Sequence, residues 1–254
     1  MFADFGDRLS VVPAEELSID VTGRFAGQVP GGPENLVTSV AAALRDTCGI
    51  MAGASIRLEK NLPAGAGLGG GSSDAAAVLK ILNRIWRTGL DLSDLMQLGG
   101  RFGADIPMCL QGSALRAGQT GDSLQPWPDA PALPMVLAWP ARPVSTGAVF
   151  AGLGSAANPP IPEIDPGSVR TIEALVDLLV GLRNDLTPAA MAMQPAIGEV
   201  LRALDARPHC RLSRMSGSGS ACFGLFATAA QADDAAAALS RTHGSWWVKA
   251  VTAR

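Results

Sequence analysis

The chain has 254 residues, of which 48% are apolar and 17% charged. That much apolar material buries a sizeable core in one large domain or two small ones, and excludes a disordered or fibrous chain. The net charge of −3 supplies no bulk positive field for a phosphodiester backbone, which argues against nucleic-acid binding.

In chain order, Leu9–Val12 and Leu17–Val21 cluster or alternate β-formers and read as short strands. Pro30-Gly31-Gly32-Pro33 is a turn, and Asn35 suits the N-cap of a helix reaching Thr47, with Leu36, Val40 and Leu44 on one face. Ser55–Glu59 alternates as a strand. A glycine-rich loop follows, then a helix over Ser72–Trp86 with the stripe Ala76, Leu79, Leu82, and another over Ser93–Phe102. Ser113–Ala117 and Pro134–Ala138 read as strands. Ala141–Gly167, rich in Pro, Gly, Ser and Ala, marks a composition break and reads as loop. Helical patterns resume over Ser168–Leu182, Asp185–Met193 and Ile197–Leu204. Strand Ala221–Phe226, helix Ala230–Leu239 and strand Trp246–Thr252 close the chain. The order implies an α+β fold, divided into residues 1–126 and 127–254.

The cysteines (Cys48, Cys109, Cys210, Cys222) form no CxxC pair, and His209 and His243 are not at ligand spacing. No zinc site or disulfide framework is expected, and a reducing cytosol fits. Met1–Phe5 lacks the basic start and apolar core of a signal peptide, and no run reads as a membrane span. The expectation is a soluble cytoplasmic protein, monomer or homodimer.

The informative segment is Pro63-Ala64-Gly65-Ala66-Gly67-Leu68-Gly69-Gly70-Gly71-Ser72-Ser73-Asp74, between a strand and a helix. Five glycines in seven residues let backbone N–H groups turn inward unobstructed. The helix start adds free N–H groups and the positive end of its dipole, and Ser72 and Ser73 add hydroxyls. Together these make a phosphate cradle rather than a structural turn. Gly65–Gly70 also satisfies GxGxxG. A dinucleotide fold is disfavoured because the preceding strand alternates in polarity and no acidic residue is clearly placed about 20 residues on. A Walker A motif fails because no lysine follows Gly70.

Pro63–Ala76 resembles the ATP loop of the GHMP kinases. Its Gly-Gly-Gly-Ser-Ser-Asp ending is most similar to the branch of that family acting on a cytidine-diphosphate-linked methylerythritol in the non-mevalonate route to isoprenoid precursors. Gly103-Ala104-Asp105-Ile106-Pro107, Asn184-Asp185-Leu186 and Arg214-Met215-Ser216-Gly217-Ser218-Gly219-Ser220 resemble three further motifs of that branch, in the same order. The resemblance implies a ribosomal protein S5 domain 2-like N-terminal half and a ferredoxin-like C-terminal half. It implies ATP with Mg²⁺ on Pro63–Ser73 and a small-molecule alcohol, CDP-methylerythritol, as acceptor. By resemblance Asp105 accepts the hydroxyl proton; read from its neighbours, it is a charge in an apolar setting. Lys60 pairs with a substrate or phosphate anion, at a position that by resemblance borders the substrate site, or is a solvated strand-end lysine, and by resemblance Thr146 lies on the substrate side. The loop carrying Gly217 and Ser218 closes over phosphates or substrate, or is a plain strand-entry turn.

The family's opening P-A-K-[IL]-N-L strand and its D-G-Y-H segment are not seen. The first lysine is Lys60, the first histidine His209, and there is no tyrosine. With no counterpart to the family's N-terminal lysine, little kinase activity and poor stability are expected of the chain as written, and upstream in-frame codons are expected to encode the strand. Three other readings carry less support. They are a GHMP kinase with a different acceptor, a nucleotide-binding protein without catalysis, and a dinucleotide oxidoreductase.

Overall fold

Leu9, Val11 and Ala14 of Arg8–Ala14 (β1) and Leu17, Ile19 and Val21 of Leu17–Thr22 (β2) are half-buried, so each strand turns one face inward. After β2 the chain enters Leu36–Thr47 (α1) and returns as Gly53–Glu59 (β3), antiparallel to β1 and parallel to β2. A parallel pair needs a crossover, and α1 supplies it. Ala54, Ile56 and Leu58 of β3 are buried while Ser55 and Arg57 face out, which is the alternation legible in the sequence. The computed structural model describes residues 1–118, 121, 123–155 and 158–254. It divides into an N-terminal unit, Gly6–Ala64 with Gly69–Pro126, and a C-terminal unit, Trp127–Arg254 with Met1–Phe5 and Gly65–Leu68.

In the N-terminal unit the sheet order is β1-β3-β2. Three helices follow β3: Gly70–Ile85 (α2), Leu92–Gly100 (α3) and Asp105–Gln111 (α4). Their apolar stripes and that of α1 form one core with the sheet, in which Leu44, Ile56, Leu79, Leu82 and Ile106 are fully buried. A hairpin of Leu115–Gly118 (β4) and Ser123–Pro126 (β5) ends the unit.

The C-terminal unit is built on Leu133–Trp139 (β6), paired antiparallel on both sides. After it come Thr146–Ala151 (α5), Ile172–Val180 (α6), Thr187–Met193 (α7) and Ala196–Asp205 (α8). Leu212–Met215 (β7), Cys222–Leu225 (β8), Ala229–Thr242 (α9) and Trp247–Ala253 (β9) complete it. The sheet order β7-β8-β6-β9, with α8 and α9 packed against it, is the ferredoxin-like arrangement. Ala3 bridges Ala253, and the Phe2 and Asp4 N–H groups donate to Arg254 O (2.8 Å) and Thr252 O (2.9 Å), extending the β9 edge.

Two local expectations need correction, and α4, β5 and β7 are elements the expected order lacked. Residues 105–111 are helical because Pro107 falls in the first turn, where its missing N–H has no intrahelical acceptor to lose. The helix expected from Ser72 starts at Gly70, since Gly69 takes the left-handed conformation (φ 69°) that ends the loop. The stretch 141–167 is not all loop: Ser145 caps α5. The short strands β5 and β7, too brief to show a period, pair with their neighbours β4 and β8.

Asn35 caps α1 as expected. Its side-chain oxygen accepts the Val37 N–H at 2.9 Å and its amide donates to Pro30 O at 2.7 Å, and the residue is 5% exposed. Asn35→Ala removes both bonds from a buried setting. It is expected to lower the urea midpoint by the equivalent of about 2 kcal/mol, with Asn35→Asp recovering the cap's share. An unchanged midpoint in Asn35→Ala would contradict this.

Candidate active site

The glycine-rich segment is divided between the two units. Gly69–Ser73, the exit of the loop, forms the N-terminus of α2. Gly69 gives no side-chain cap, so the first-turn N–H groups of Gly70, Gly71 and Ser72 have no acceptor within the helix. Gly69, Gly71 and Ser73 are exposed. Three unpaired donors at the positive end of a 16-residue helix are a place for an anion.

At the entry of the loop, Leu62 and Pro63 are buried, and the Ala64 N–H donates to Gln28 Oε1 at 2.9 Å, so Ala64 does not offer its amide to a ligand. Lys60 is neither a solvated strand-end lysine nor an open anion ligand, because it is only 3% exposed. Its ammonium donates to an oxygen of Asp7 and to Asp74 Oδ2, the latter at 2.8 Å. The second oxygen of Asp7 accepts the N–H groups of Asn61 (2.6 Å) and Leu62 (2.8 Å). Burial works against the charge of Lys60, but the two carboxylates outweigh it and hold its pKa above the ordinary value. Two carboxylates share one ammonium, so one negative charge is in excess. Burial, and then the nearby charge of Asp7, push Asp74 up to about 7 against the pull of Lys60.

Asp105 is the first residue of α4, where a carboxylate is favourable to the helix dipole. It is exposed, which corrects its reading as a charge in an apolar setting: the apolar neighbour Ile106 turns inward, fully buried, and Asp105 turns out. Ile106 packs so closely on α3 that a Cβ at Gly99 would lie 2.6 Å from its Cγ2. One turn along, burial and then the charge of Asp105 push the Cys109 thiol up to about 11. Cys109 also feels Asp74 and Lys80 of α2, and Gly112 at the end of α4 lies beside Lys80. The Asp105 end of α4 therefore lies toward the Asp74 end of α2, the end that carries the unpaired amides.

In the C-terminal unit a second glycine loop holds the middle of the first. Ser216 Oγ donates to Gly67 O at 2.8 Å and the Ala221 N–H donates to Ala66 O at 2.9 Å. Gly67 (φ 76°) has no room for a Cβ, which would lie 2.6 Å from Ser216 O. Asn184 donates its amide to Met215 O (3.1 Å) and Gly217 O (2.8 Å). Arg214 donates to Leu179 O and Leu182 O, both at 2.8 Å, satisfying carbonyls at the end of α6. Thr146 Oγ1 lies 2.9 Å from Ser218 Oγ, so two residues expected on the substrate side share a hydrogen bond. The sequence offered no sign of Asp7, and none of Asp74 beyond its place in the loop motif. Asp7 lies 53 positions from its partner Lys60, and nothing in its local pattern differs from a strand-entry turn.

Residues 35–113 match the family described as GHMP kinases N terminal domain, and residues 162–245 match GHMP kinases C terminal. A 4-diphosphocytidyl-2-C-methyl-D-erythritol kinase of Paramagnetospirillum magneticum is 44% identical, covering 98% of this chain and 86% of its own. One of Dinoroseobacter shibae is 47% identical, covering 98% and 83%. The chain belongs to the GHMP kinase family. The crystal structure of a 4-(cytidine 5'-diphospho)-2C-methyl-D-erythritol kinase superposes with a TM-score of 0.75 at 34% identity, covering 98% of this chain and 86% of that one. A homoserine kinase from Cytophaga hutchinsonii reaches the same TM-score at 18% identity, over 98% and 88%, which speaks for the GHMP kinase fold alone.

The raised Asp74 predicts a pH signature for this GHMP kinase. An acid whose folded pKa (about 7) exceeds its ordinary value (3.8) binds its proton more tightly when folded, so its contribution to stability is lost as pH rises through that window. Lys60, raised from an already high value, does not titrate there. Asp74→Asn is expected to melt like the wild type near pH 4 and increasingly above it as pH rises toward 8. A difference in melting temperature that does not change with pH would show Asp74 ionised throughout.

Proposed function

We propose that the chain transfers the γ-phosphoryl group of ATP to the 2-hydroxyl of 4-diphosphocytidyl-2-C-methyl-D-erythritol, a step toward isoprenoid precursors. The observation that carries this reading is the likeness, over nearly the whole chain, to kinases named for that substrate. The unpaired amides at the start of α2 support it independently, because they suit a polyphosphate.

In this reading the loop Pro63–Ser73 receives the triphosphate, with the N–H groups of Gly70, Gly71 and Ser72 as its donors. The hydroxyls of Ser72 and Ser73 are the candidate protein ligands of a Mg²⁺ ion carried by the nucleotide. Among the described residues no three His, Cys, Asp or Glu side chains could hold a metal, which fits an ion ligated mostly by phosphate oxygens and water. Thr146, Gly217 and Ser218 serve the acceptor side. Lys60 leaves the substrate-binding set, since both carboxylates already occupy its ammonium.

Asp105 accepts the proton of the acceptor hydroxyl as the bond from that oxygen to the γ-phosphorus forms and the bond to ADP breaks. Phosphoryl transfer demands little covalent chemistry of the protein, so placement of the alcohol and of the amides does most of the work. No helix among the described residues is long and apolar enough to cross a membrane, and we assign the reaction to the cytoplasm.

A coupled assay of ADP release tests the reading, with the CDP-linked alcohol and homoserine offered as alternative acceptors. Turnover is expected with the first and not with the second. Asp105→Asn is expected to lower kcat by about 10²–10⁴-fold while ATP affinity stays within about threefold. A variant that turns over at the wild-type rate would remove Asp105 as the proton acceptor.

A further inference from the structure

The buried Asp7–Lys60–Asp74 cluster joins three parts of the N-terminal unit that meet at the two ends of the glycine-rich loop. Lys60 is the residue after β3, and its backbone is clamped. Its N–H donates to Thr22 O at 2.7 Å and its carbonyl accepts the Phe25 N–H at 3.1 Å. A Cβ at Gly23 would lie 2.7 Å from that carbonyl, so only a glycine lets the two backbones pass this closely. Asp7 then fixes the next two residues through the N–H groups of Asn61 and Leu62. On the other side of the loop, Asp74 lies in the second turn of α2, and the Lys60 ammonium reaches it at 2.8 Å. Asp7 touches the exit as well: a Cβ at Gly70 would lie 3.4 Å from Asp7 Oδ2 and 3.3 Å from Leu62 Cδ1. The cluster thus ties residues 60–62 to residues 70–74 and leaves the residues between them without a tie of this kind to either end.

We propose that Asp7, Lys60 and Asp74 are positioning residues for nucleotide binding, a buried buckle that sets the separation between the entry and the exit of the glycine-rich loop. None of the three touches the nucleotide. They act by holding the amides of Gly70, Gly71 and Ser72 in register with the incoming strand end. The inference rests on the reading of that loop as the ATP phosphate site. It also accounts for Gly70, whose lack of a side chain lets Asp7 and Leu62 approach the helix start.

The test compares Asp74→Ala, Asp74→Asn and Leu82→Ala. Asp74→Ala cuts the tie to the helix but leaves Lys60 paired with Asp7, so no buried charge is stranded. Asp74→Asn keeps an oxygen that accepts from Lys60. Leu82→Ala opens a cavity in the fully buried core of the same helix and touches none of the loop. Affinities for ATP with Mg²⁺ and, separately, for the CDP-linked alcohol are measured by titration calorimetry, alongside melting temperatures. Asp74→Ala is expected to weaken ATP binding about five- to tenfold, the loss of one charge-assisted hydrogen bond, and to leave the alcohol within about twofold. Asp74→Asn is expected to restore ATP affinity, and Leu82→Ala to lower the melting temperature without moving it. The buckle is refuted if Asp74→Ala binds ATP like the wild type, if Asp74→Asn fails to restore binding, or if Leu82→Ala weakens ATP as much. Should Asp74→Ala not fold, Asp7→Asn cuts the other arm while keeping an acceptor for both backbone amides, and is judged against the same control. A wild-type chain that binds no ATP would instead overturn the phosphate-site reading itself.

Discussion

One ammonium group buried between two carboxylates governs the N-terminal unit. Taking three charges out of water is costly, and breaking such a cluster by removing the cation strands two carboxylates in an apolar surround. Hydrophobic residues of similar volume would stabilise the unit at least as well, so the cluster is better understood through what it holds. Asp7 uses both oxygens, one on the backbone amides of the loop entry and one on Lys60. The cluster carries an excess negative charge close to amides that suit an anion. Burial, and then the charge of Asp7, raise the pKa of Asp74 to about 7, which works against that excess.

The C-terminal unit reaches a similar end without charge. There the middle of the loop is held by a serine hydroxyl and backbone bonds, and the second loop is held in turn by the amide of Asn184. Arg214, the cation of that second motif, spends its donors on carbonyls at the end of α6. Asn184, Arg214 and Ser216 of the two C-terminal motifs therefore hold backbone in place. That division suits phosphoryl transfer, in which placement matters more than covalent participation, and it explains why so few side chains are left to do chemistry.

Elements with a clear period or cap are legible in the amino-acid order itself. Asn35 announces α1, the alternation over 55–59 announces β3, and the stripe Ala76-Leu79-Leu82 announces α2. Some short elements are not legible in this way. The helix α4 is interrupted by a proline third, and β5 and β7, Ser-Leu-Gln-Pro and Leu-Ser-Arg-Met, carry none of the β-branched or aromatic residues that mark a strand. At the site, the uncapped start of α2 can be read from glycines and serines because its donors are backbone groups. The role of Lys60 cannot, because its partners come from positions 7 and 74 and only folding brings them together. A lysine next to a phosphate loop suggests a phosphate ligand, and burial redirects it. Asp105 shows the opposite error, since apolar neighbours in sequence need not surround a residue that begins a helix.

The fold by itself does not select the acceptor. A homoserine kinase and a kinase of the CDP-linked alcohol superpose on this chain equally well, at a TM-score of 0.75, although their identities are 18% and 34%. What the two share with this chain is the course of the backbone. Acceptor choice must then reside in side chains, where the substrates differ in size, charge and hydrogen-bonding groups. It follows that residues fixing the loop, such as Asp7, Lys60 and Asp74, belong to the nucleotide half of the problem. In the proposed function the hydroxyl pair of Thr146 and Ser218 stands on the acceptor half. On that reading a substitution in the first set changes how any acceptor is phosphorylated, whereas one in the second changes which acceptor is.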